Sequence, residues 1–373
     1  MEKLKHFSLF SGIESFKKAL TNLGIENDLV GYSEIDKYAS VALPVIHGVS
    51  EELNYGDIAK IDEKDVPDCD LITYGFPCQD ISIAGLGKGI VEGKTRSGLL
   101  YDALRIIKYK KPKYAISENV KNLVGKRFKD DFNSLLEELD SYGYNNYWKV
   151  LNAKDYGIPQ NRERVFIVSI RKDIDTGDFK FPEPFDSGLR LKDLLEDEVE
   201  EKYYMSDLEI IRTSNWKAYQ RPFKRVLGDN SISPTLTARG AGENHSGMII
   251  YSENNKDTVD CDDDIKVQVK EATRLGAISS VGDSVSNSND AYATRASQLN
   301  NILEHDYKIR KLTPLECWRL MGFTDKDYWK TRQILEDRFY DGKGRSDRQM
   351  YKMAGNSIVV DVLEGIFRML LCI

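Results

Sequence analysis

The first half of the chain alternates short apolar runs with amphipathic segments, and this alternation restricts the fold more than any other feature of the sequence. Residues 7–10 are typical of a strand, and the apolar side chains between Phe16 and Leu23 recur at helical spacing until Gly24 ends the helix. Further strands are predicted at residues 29–33, 70–74, 114–117, 148–151 and 165–170, with helices at 99–107 and 128–139. Strands that alternate with helices indicate an α/β fold, with ligands at the carboxyl ends of the strands.

Length and composition narrow the class of protein. The 373 residues leave room for one large domain and a smaller one. There is no signal-peptide pattern and no apolar run long enough to span a bilayer. Five cysteines without a CxxC pair and four scattered histidines predict neither a disulfide framework nor a metal site. We expect a reducing, cytoplasmic setting, and the net charge of −7 argues weakly against a nucleic-acid partner unless the charge is unevenly distributed.

The turn after the first strand and the acid after the second are laid out to hold an adenosine moiety. Ser11-Gly12 follows the first strand, and Glu34 ends the second, where an acid accepts hydrogen bonds from ribose hydroxyls. The turn lacks the GxGxxG spacing of a pyrophosphate site, and Glu14 would repel phosphate. A nucleoside without phosphates, such as S-adenosylmethionine, therefore fits better. Asp57 is either a second acid for the adenine amino group or part of a simple turn.

Cys78 lies shortly after the strand at 70–74. The Gly-Phe-Pro sequence between them cannot continue the strand. A lone cysteine is more often a buried structural residue. Residues 80–98, however, hold five glycines and several polar side chains, so this segment is too flexible and too polar to pack over an apolar core. The stretch predicts a mobile loop that carries a nucleophile at the carboxyl end of a strand.

A carboxylic acid and two arginines complete the chemistry. Glu118 ends the strand that begins at Tyr114, and Arg162 and Arg164, two residues apart, suit a clamp on a carboxylate or another anion. A thiolate can attack an electron-poor carbon while an acid protonates the ring nitrogen that receives the electrons. Applied to cytosine, attack of Cys78 at C6 with Glu118 at N3 makes C5 nucleophilic enough to take a methyl group from a sulfonium. The base must leave the stacked duplex for this chemistry.

Six motifs in order resemble those of DNA (cytosine-5) methyltransferases of the bacterial or phage type, and they span nearly the whole chain. They are Phe10-Ser11-Gly12, Pro77-Cys78-Gln79, Glu118-Asn119-Val120, Gln160-x-Arg162-x-Arg164, the Arg310 to Phe323 segment and Gly355-Asn356-Ser357. The resemblance implies a Rossmann-like S-adenosylmethionine-dependent methyltransferase domain with a smaller inserted target-recognition domain. It implies double-stranded DNA as partner, with or without a cognate restriction endonuclease, and a monomer.

The resemblance also assigns roles. Cys78 is expected as the nucleophile and Glu118 as the acid, with Arg162 and Arg164 as supports and Arg164 the nearer to the base. The residues expected at S-adenosylmethionine are Phe10, Gly12, Ile13, Glu34, Ile35, Asp57, Ile58, Pro77, Leu99 and Asn356. The residues expected at DNA are Gln79, Ser82, Arg96, Thr235 and Arg239. Two positions depart from the family, which often has glycine at Glu14 and tryptophan at Ile35.

The domain limits follow from a change in composition after about residue 182, where the strand and helix rhythm stops. We expect a catalytic domain from residues 1–183 and 352–373, a target-recognition domain at 184–310 and a connecting segment at 311–351. Duplex DNA would lie between the two domains. A basic cluster in the recognition region suits phosphate contacts or a solvated face; its members are Arg212, Lys217, Arg221, Lys224, Arg225 and Arg239. The acidic segment at 253–264 is expected to project away from DNA, and a helical stripe from Met353 to the carboxyl end is expected to fold back onto the first domain.

Three alternatives stay open at this point. A tRNA cytosine-5 methyltransferase uses the same catalytic parts, but the Cys-Phe-Thr element usual in the RNA-acting relatives is missing from the target region. A catalytically silent DNA-binding relative would not need Cys78, Glu118 and both arginines. A nucleotide oxidoreductase would need the phosphate-binding glycines that the first turn lacks.

Overall fold

A computed structural model of the chain describes residues 3–77, 90, 96–205, 226–227, 231–237, 248–252 and 307–372. The basic cluster, Arg212 to Arg239, and the acidic segment at 253–264 lie outside the described residues. Their orientation toward or away from DNA therefore stays a prediction, as do the domain limits at 183, 310 and 351.

A six-stranded sheet forms the centre of the molecule. The strands among the described residues are β1 (Leu4–Leu9), β2 (Asn27–Ser33), β3 (Leu71–Tyr74), β4 (Tyr114–Val120), β5 (Tyr144–Asn152), β6 (Gln160–Asn161), β7 (Glu163–Arg171), β8 (Val226–Leu227), β9 (Ser233–Pro234), β10 (Met248–Ser252) and β11 (Tyr307–Lys311). The order across the central sheet is β2-β1-β3-β4-β7-β5. The first four of these strands run parallel, and β7 is antiparallel to both β4 and β5.

An α-helix follows each of the four parallel strands of the central sheet, and the helices after β1, β3 and β4 lie where the sequence predicts them. The α-helices among the described residues are α1 (Ser15–Asn22), α2 (Ala39–His47), α3 (Leu100–Lys110), α4 (Lys129–Ser141), α5 (Pro314–Arg319), α6 (Asp325–Leu335), α7 (Asp347–Asn356) and α8 (Val360–Leu371). Capping boxes begin α5 at Thr313 and α6 at Thr324. A π-helical stretch, Glu336–Tyr340, continues α6. The α/β class predicted from the alternation is confirmed.

Two apolar clusters pack on opposite faces of the sheet. Because neighbouring residues of a strand point to opposite faces, Ala115 and Ile116 of β4 belong to different clusters, and so do Ile167 and Val168 of β7. One cluster is completed by α1, α5 and α8, and the other by α3 and α4. The near-continuous apolar runs of these strands are therefore explained by burial on both faces.

The carboxyl-terminal helix packs against the first helix of the chain, which confirms the predicted return of this segment. The rings of Phe16 and Phe367 meet edge to face with centroids 6.5 Å apart. At the exposed edge of this contact, Asn22 Nδ2 donates a 2.8 Å hydrogen bond to Glu364 Oε1. Residues 342 positions apart thus form one surface, and the two ends of the chain share one core.

The apolar stripe from Met353 onward predicts one helix, but the structure forms two. α7 ends at Asn356, Ser357 and Val359 are extended, and α8 begins at Val360. The break has a tertiary cause, because the Val360 amide donates to the Met321 carbonyl over 3.1 Å. Local periodicity does not contain that contact, so the sequence alone favours a continuous helix.

A crevice is expected where the chain changes direction across the sheet. From β1 the chain builds β2 on one side and then β3 on the other, so the loops after β1 and β3 diverge at the same edge. The parallel pairing of β6 with β9 forms a separate two-stranded sheet and attaches residues 231–237 to the segment that leads into β7. Among the described residues, no helix is both long and apolar enough to cross a membrane.

Candidate active site

The loop after β1 faces an acid at the end of β2. Phe10 and Gly12 both adopt left-handed conformations, with φ of 55° at each. The Gly12 amide donates a 2.7 Å hydrogen bond to Glu34 Oε2, and the Asp36 amide donates a 2.6 Å bond to Oε1. Burial raises the pKa of Glu34, while these two backbone donors act in the opposite direction. The carboxylate is thus oriented by two N–H groups and retains lone pairs for hydroxyl donors.

The surroundings of Glu34 suit a nucleoside. A Cβ atom built on Gly12 would meet no atom within 4 Å, so the backbone there faces open space. Ile35 leaves 73% of its surface exposed beside the acid and offers an aliphatic surface for the face of a base. An acid for ribose hydroxyls next to such a surface fits the adenosyl part of S-adenosylmethionine.

The other predicted cofactor residues near this crevice divide into buried and half-buried groups. Ile13 and Ile58 are buried, one in each apolar cluster, and Phe10 and Leu99 are half-buried against the cluster that contains Ile58. Asp57 accepts a 3.2 Å hydrogen bond from the Ala59 amide, which caps a short 3₁₀ turn at Ile58–Lys60. The turn agrees with the simpler interpretation, and its half-buried acid, Asp57, lies close to the end of β2.

Glu14, which departs from the family pattern, is enclosed beneath the turn. It is 1% exposed, adopts φ of 59° and caps α1 by accepting a 3.2 Å hydrogen bond from the Lys17 amide. The Ser8 hydroxyl donates to its other oxygen, and burial raises the pKa of Glu14 to about 7. Beside it, burial lowers the pKa of His6 to about 3. The carboxyl group therefore serves β1 and α1 and is turned away from solvent.

The chain that leads to Cys78 is held on both sides. Asn119 Nδ2 donates a 3.1 Å hydrogen bond to the Phe76 carbonyl, and Ser97 Oγ donates a 2.8 Å bond to the Pro77 carbonyl. Ser97 lies in the 3₁₀ turn Arg96–Leu99 that precedes α3. Residues 77 and 97 are thus joined directly. Cys78, Gln79 and Ser82 lie outside the described residues, as does the side chain of Arg96.

Glu118 and Arg164 form an ion pair next to the end of β3. Arg164 Nε lies 3.0 Å from Glu118 Oε1, and a Cβ atom on Gly75 would lie 4.0 Å from Glu118 Oε2. Burial raises the pKa of Glu118, and the charges of Arg164 and Arg162 oppose that shift. Gly75 is three residues before Cys78. The structure therefore brings the predicted acid and one predicted arginine to the segment that carries the predicted nucleophile.

Arg162 is buried and binds backbone carbonyls of distant segments. Its Nη1 donates to the Leu236 carbonyl over 2.9 Å, and its Nη2 donates to the carbonyls of Gly355 and Ser357 over 3.1 and 2.7 Å. The guanidinium fork is therefore directed at protein carbonyls, while its charge still acts on Glu118.

The recognition residues that the structure describes are attached to the same region. Gln160 is fully buried, accepts a 3.2 Å hydrogen bond from the Leu236 amide and donates a 2.8 Å bond to the Leu320 carbonyl. The Thr235 hydroxyl donates to the Asn161 carbonyl over 2.7 Å. Thr235 is half-buried next to exposed Thr237, and Arg239 lies outside the described residues.

Asn356 is exposed at the last position of α7, between the two residues whose carbonyls Arg162 holds. The same helix is connected to Glu34 through Asp36, because the Lys352 ammonium donates to the Asp36 carboxylate and the Asp36 amide donates to Glu34. The structure thus places Asn356 on a helix that contacts both Arg162, near the predicted acid, and Asp36, near the predicted cofactor residue Glu34. Lys352, Ser97 and Asn54 were not predicted from the sequence. No local motif marks them, since each has a partner that lies 20 or more residues away.

Comparisons with known proteins decide the family. Residues 4–372 match the family described as C-5 cytosine-specific DNA methylase. The chain belongs to this family. It is therefore a DNA (cytosine-5)-methyltransferase, as the motifs predict. The orphan methyltransferase M.SPRI of Bacillus phage SPR is 32% identical, over 100% of this chain and 98% of its own length. The type II methyltransferase M.HhaI of Haemophilus parahaemolyticus is also 32% identical, over 97% and 93%.

A third relative of this methylase, the type II methyltransferase M2.ScrFI of Lactococcus lactis subsp. cremoris, is 38% identical over 84% of the chain and 70% of its own length. Among solved structures, the Entamoeba histolytica methyltransferase EhMeth matches with a TM-score of 0.68 at 17% identity, covering 100% of this chain and 99% of its own. The S. pombe Dnmt2 methyltransferase matches with 0.60 at 19% identity, over 99% and 98%. At these identities the structural matches confirm the fold alone.

Proposed function

We propose that this methylase takes its methyl group from S-adenosylmethionine and transfers it to a cytosine flipped out of duplex DNA, with Cys78 as the nucleophile. The observation that carries the assignment is the Glu118–Arg164 pair, 3.0 Å apart and beside Gly75. Glu118, an acid of raised pKa, lies beside Gly75, three residues before Cys78, at the carboxyl ends of the parallel strands β3 and β4. That is the layout required for attack on one atom of a ring and protonation of another.

The reaction needs two groups of the protein at the cytosine ring. The Cys78 thiolate forms a bond to C6, the electrons of the C5–C6 double bond move toward N3, and Glu118 supplies a proton or hydrogen bond there. C5 is then electron-rich. S-adenosylmethionine, when bound, supplies an electrophilic methyl group. Loss of the C5 proton to solvent re-forms the C5–C6 double bond and expels the Cys78 thiolate. N3 returns its proton to Glu118, which leaves 5-methylcytosine and both side chains in their starting states.

The environment of Glu118 fits the acid role. Burial raises its pKa, so its carboxyl group keeps its proton to higher pH than an exposed glutamate. Arg164 orients the carboxyl group through Oε1 and is the arginine we assign to the base. Arg162 acts through the backbone of other segments and is a positioning residue. Its hydrogen bonds to three carbonyls keep the segment around Leu236 and the turn at Asn356 near Glu118.

We assign the cofactor to the crevice between the loops after β1 and β3. Glu34 would accept hydrogen bonds from the ribose hydroxyls, Ile35 would contact the adenine ring and Asp57 its amino group. The remaining residues assigned to this site are Phe10, Gly12, Ile13, Ile58, Pro77, Leu99 and Asn356. The enclosed position of Glu14 supports this assignment, since its carboxyl group is kept from the cofactor by Ser8 and Lys17.

Double-stranded DNA is the proposed substrate, approached by the residues that surround Cys78 and by the segment attached to β6. We assign DNA contacts to Gln79, Ser82, Arg96, Thr235 and Arg239. The docking of 231–237 on Gln160 and Asn161 supports the assignment of Thr235, because it keeps this segment beside Arg162, two residues before the arginine assigned to the base. Exposed Thr237 extends the same edge.

A trapping experiment tests the nucleophile. Duplex oligonucleotides with 5-fluorocytosine in all sequence contexts are incubated with S-adenosylmethionine and the protein. We expect a covalent complex on denaturing gels for the wild type and for Cys372→Ser, which changes an exposed cysteine, and none for Cys78→Ser. Persistent trapping by Cys78→Ser would reject the role of Cys78. Bisulfite sequencing of DNA from cells that express the protein then identifies the modified base and its context.

A further inference from the structure

We propose that Asn54 is a positioning residue for the cofactor, which fixes Glu34 and the Gly56-Asp57 turn in one mutual arrangement. The inference rests on the proposed function, since it takes Glu34 and Asp57 as the residues that hold the adenosyl group. Asn54 lies between β2 and the 3₁₀ turn at Ile58–Lys60, and it pairs with Tyr32 in an isolated parallel bridge. It belongs to none of the six motifs.

The Asn54 amide makes four hydrogen bonds, and each joins a segment of the crevice. Its Oδ1 accepts from the Glu34 amide over 3.1 Å and from the Gly56 amide over 2.9 Å. Its Nδ2 donates to the Glu34 carbonyl over 3.0 Å and to Ser40 Oγ over 3.2 Å. Both the backbone N–H and the backbone C=O of Glu34 are therefore hydrogen-bonded to the Asn54 side chain.

This arrangement uses the full capacity of a primary amide, which has two acceptor and two donor positions. Its orientation is fixed by chemistry, because the backbone N–H groups of Glu34 and Gly56 can only donate and the Glu34 carbonyl can only accept. No other side chain of this length offers two donors and two acceptors at adjacent atoms. An aspartate keeps the accepting half and loses the donating half.

The consequence reaches the functional carboxylate. The Glu34 side chain is oriented by the Gly12 and Asp36 amides, but those contacts hold only if the Glu34 backbone keeps its place relative to the loop after β1. Asn54 sets that place from the side of the Gly56-Asp57 turn. Ser33 Oγ adds a 2.7 Å hydrogen bond to the Gly56 carbonyl, so the turn and the end of β2 are joined twice. The acid assigned to the ribose and the acid assigned to the adenine are thereby kept at a constant separation.

Asn54→Ala and Asn54→Asp test the proposal by calorimetric titration with S-adenosylmethionine and S-adenosylhomocysteine. We expect the Kd for both ligands to rise about tenfold in Asn54→Ala, with a smaller rise in Asn54→Asp, which keeps two of the four hydrogen bonds. Asn54 positions the residues that bind the adenosyl group, which both ligands share. KM for S-adenosylmethionine should therefore rise by the same factor, while kcat changes less than about twofold. A fall in kcat with an unchanged KM would overturn the inference.

A double-mutant cycle with Glu34 separates positioning from general stabilisation. If Asn54 acts through Glu34, then Asn54→Ala should raise Kd much less in the Glu34→Ala background than in the wild type. Equal effects in both backgrounds would reject the proposal. Asn146→Ala is the control, because Asn146 also makes two side-chain hydrogen bonds but lies on β5 at the far edge of the sheet. It should lower the melting temperature and leave Kd unchanged.

The same cycle distinguishes the inference from the proposed function. If Glu34→Ala alone leaves the Kd for S-adenosylmethionine unchanged, the cofactor site itself is assigned wrongly. If Glu34→Ala weakens binding and both Asn54 variants bind like the wild type, the site stands and the positioning role of Asn54 is rejected.

Discussion

Two buried glutamates in this chain have raised pKa values for the same physical reason and serve different purposes. Desolvation disfavours the carboxylate of both Glu14 and Glu118. Glu14 is enclosed by Ser8 and the first turn of α1, whereas Glu118 faces a guanidinium beside the segment that leads to Cys78. Proximity to a potential reaction partner, and not the shift itself, distinguishes a catalytic acid from a structural one.

Glu118 should give the methyl-transfer rate a pH dependence. The acid acts in its protonated form, so the single-turnover rate should fall as pH rises through its raised pKa. Glu118→Gln removes the proton and should lower the rate by about 100-fold or more and abolish that descending limb. Single-turnover kinetics between pH 6 and about 9 measure both effects. A descending limb that persists in Glu118→Gln would assign the titration to another group.

Glu14 should instead affect stability. Its pKa is about 7 in the folded protein against an ordinary value of 4.5, so the folded state binds the proton more tightly than the unfolded state. The contribution of the Glu14 carboxyl group to the free energy of unfolding is complete below pH 4.5. About 3 kcal/mol of it is lost as the pH rises to about 7. Glu14→Gln cannot ionise, so it should gain stability relative to the wild type between pH 5 and about 8 in urea denaturation. An equal difference at the two pH values would contradict the assignment.

At the level of elements, turns are fixed as much by neighbouring segments as by their own sequence. Gly322 follows α5 with φ of 81°, and a Cβ atom there would lie 2.5 Å from Asp361 Oδ2 and 2.9 Å from Val360 Cβ. The start of α8 is therefore packed directly against this turn. The same packing explains why the chain breaks at residues 357–359 even though its apolar stripe continues.

Gly322→Ala should destabilise the protein by about 3 kcal/mol, because a left-handed conformation and a steric clash combine. Gly24→Ala is the matched control, since Gly24 also has a positive φ of 69° but meets no atom within 4 Å. It should cost only about 1 kcal/mol. Chemical denaturation of the two variants measures the difference, and equal losses would show that the contact with Asp361 relaxes without cost.

Local pattern predicted the elements of the central sheet but not their ends or their partners. Strands β1 to β5 and β7 occur where alternating or apolar runs place them, because burial on the sheet dictates those residues. The reversal of β7 between β4 and β5 has no local signal, since strand direction depends on the path of the whole chain. Asn54 and Lys352 could not be found from the sequence, because their partners are brought to them only by the folded topology.

Across the whole molecule, Arg162 connects parts of the chain that are far apart in sequence. One guanidinium holds carbonyls at residues 236, 355 and 357, and Gln160 next to it joins Leu236 to Leu320. The Gln160-x-Arg162-x-Arg164 motif was identified from the sequence, and its two arginines were expected to support the acid and the base. The structure gives that support a physical form: Arg162 cross-links backbone, and Arg164 pairs with Glu118.

Replacing Arg162 by methionine should leave three buried carbonyls without a donor and destabilise the protein by about 3 kcal/mol. Arg162→Lys keeps the charge near Glu118 but lacks the planar fork, so it should recover only part of the loss. Denaturation curves measure stability, and hydrogen exchange at the Leu236 amide reports on the cross-link. Unchanged exchange in Arg162→Met would show that Gln160 and the β6–β9 pairing hold the segment without Arg162.

The reach of Arg162 has a consequence for synthesis on the ribosome. Arg162, just before β7, is translated almost 200 residues before Gly355 and Ser357, whose carbonyls it binds. A nascent chain that has reached residue 300 holds every residue assigned to the nucleophile, acid and base contacts, yet the guanidinium still lacks two of its three partners. Competence to modify DNA should therefore appear only late in translation, when the α7 turn emerges and closes the cross-link.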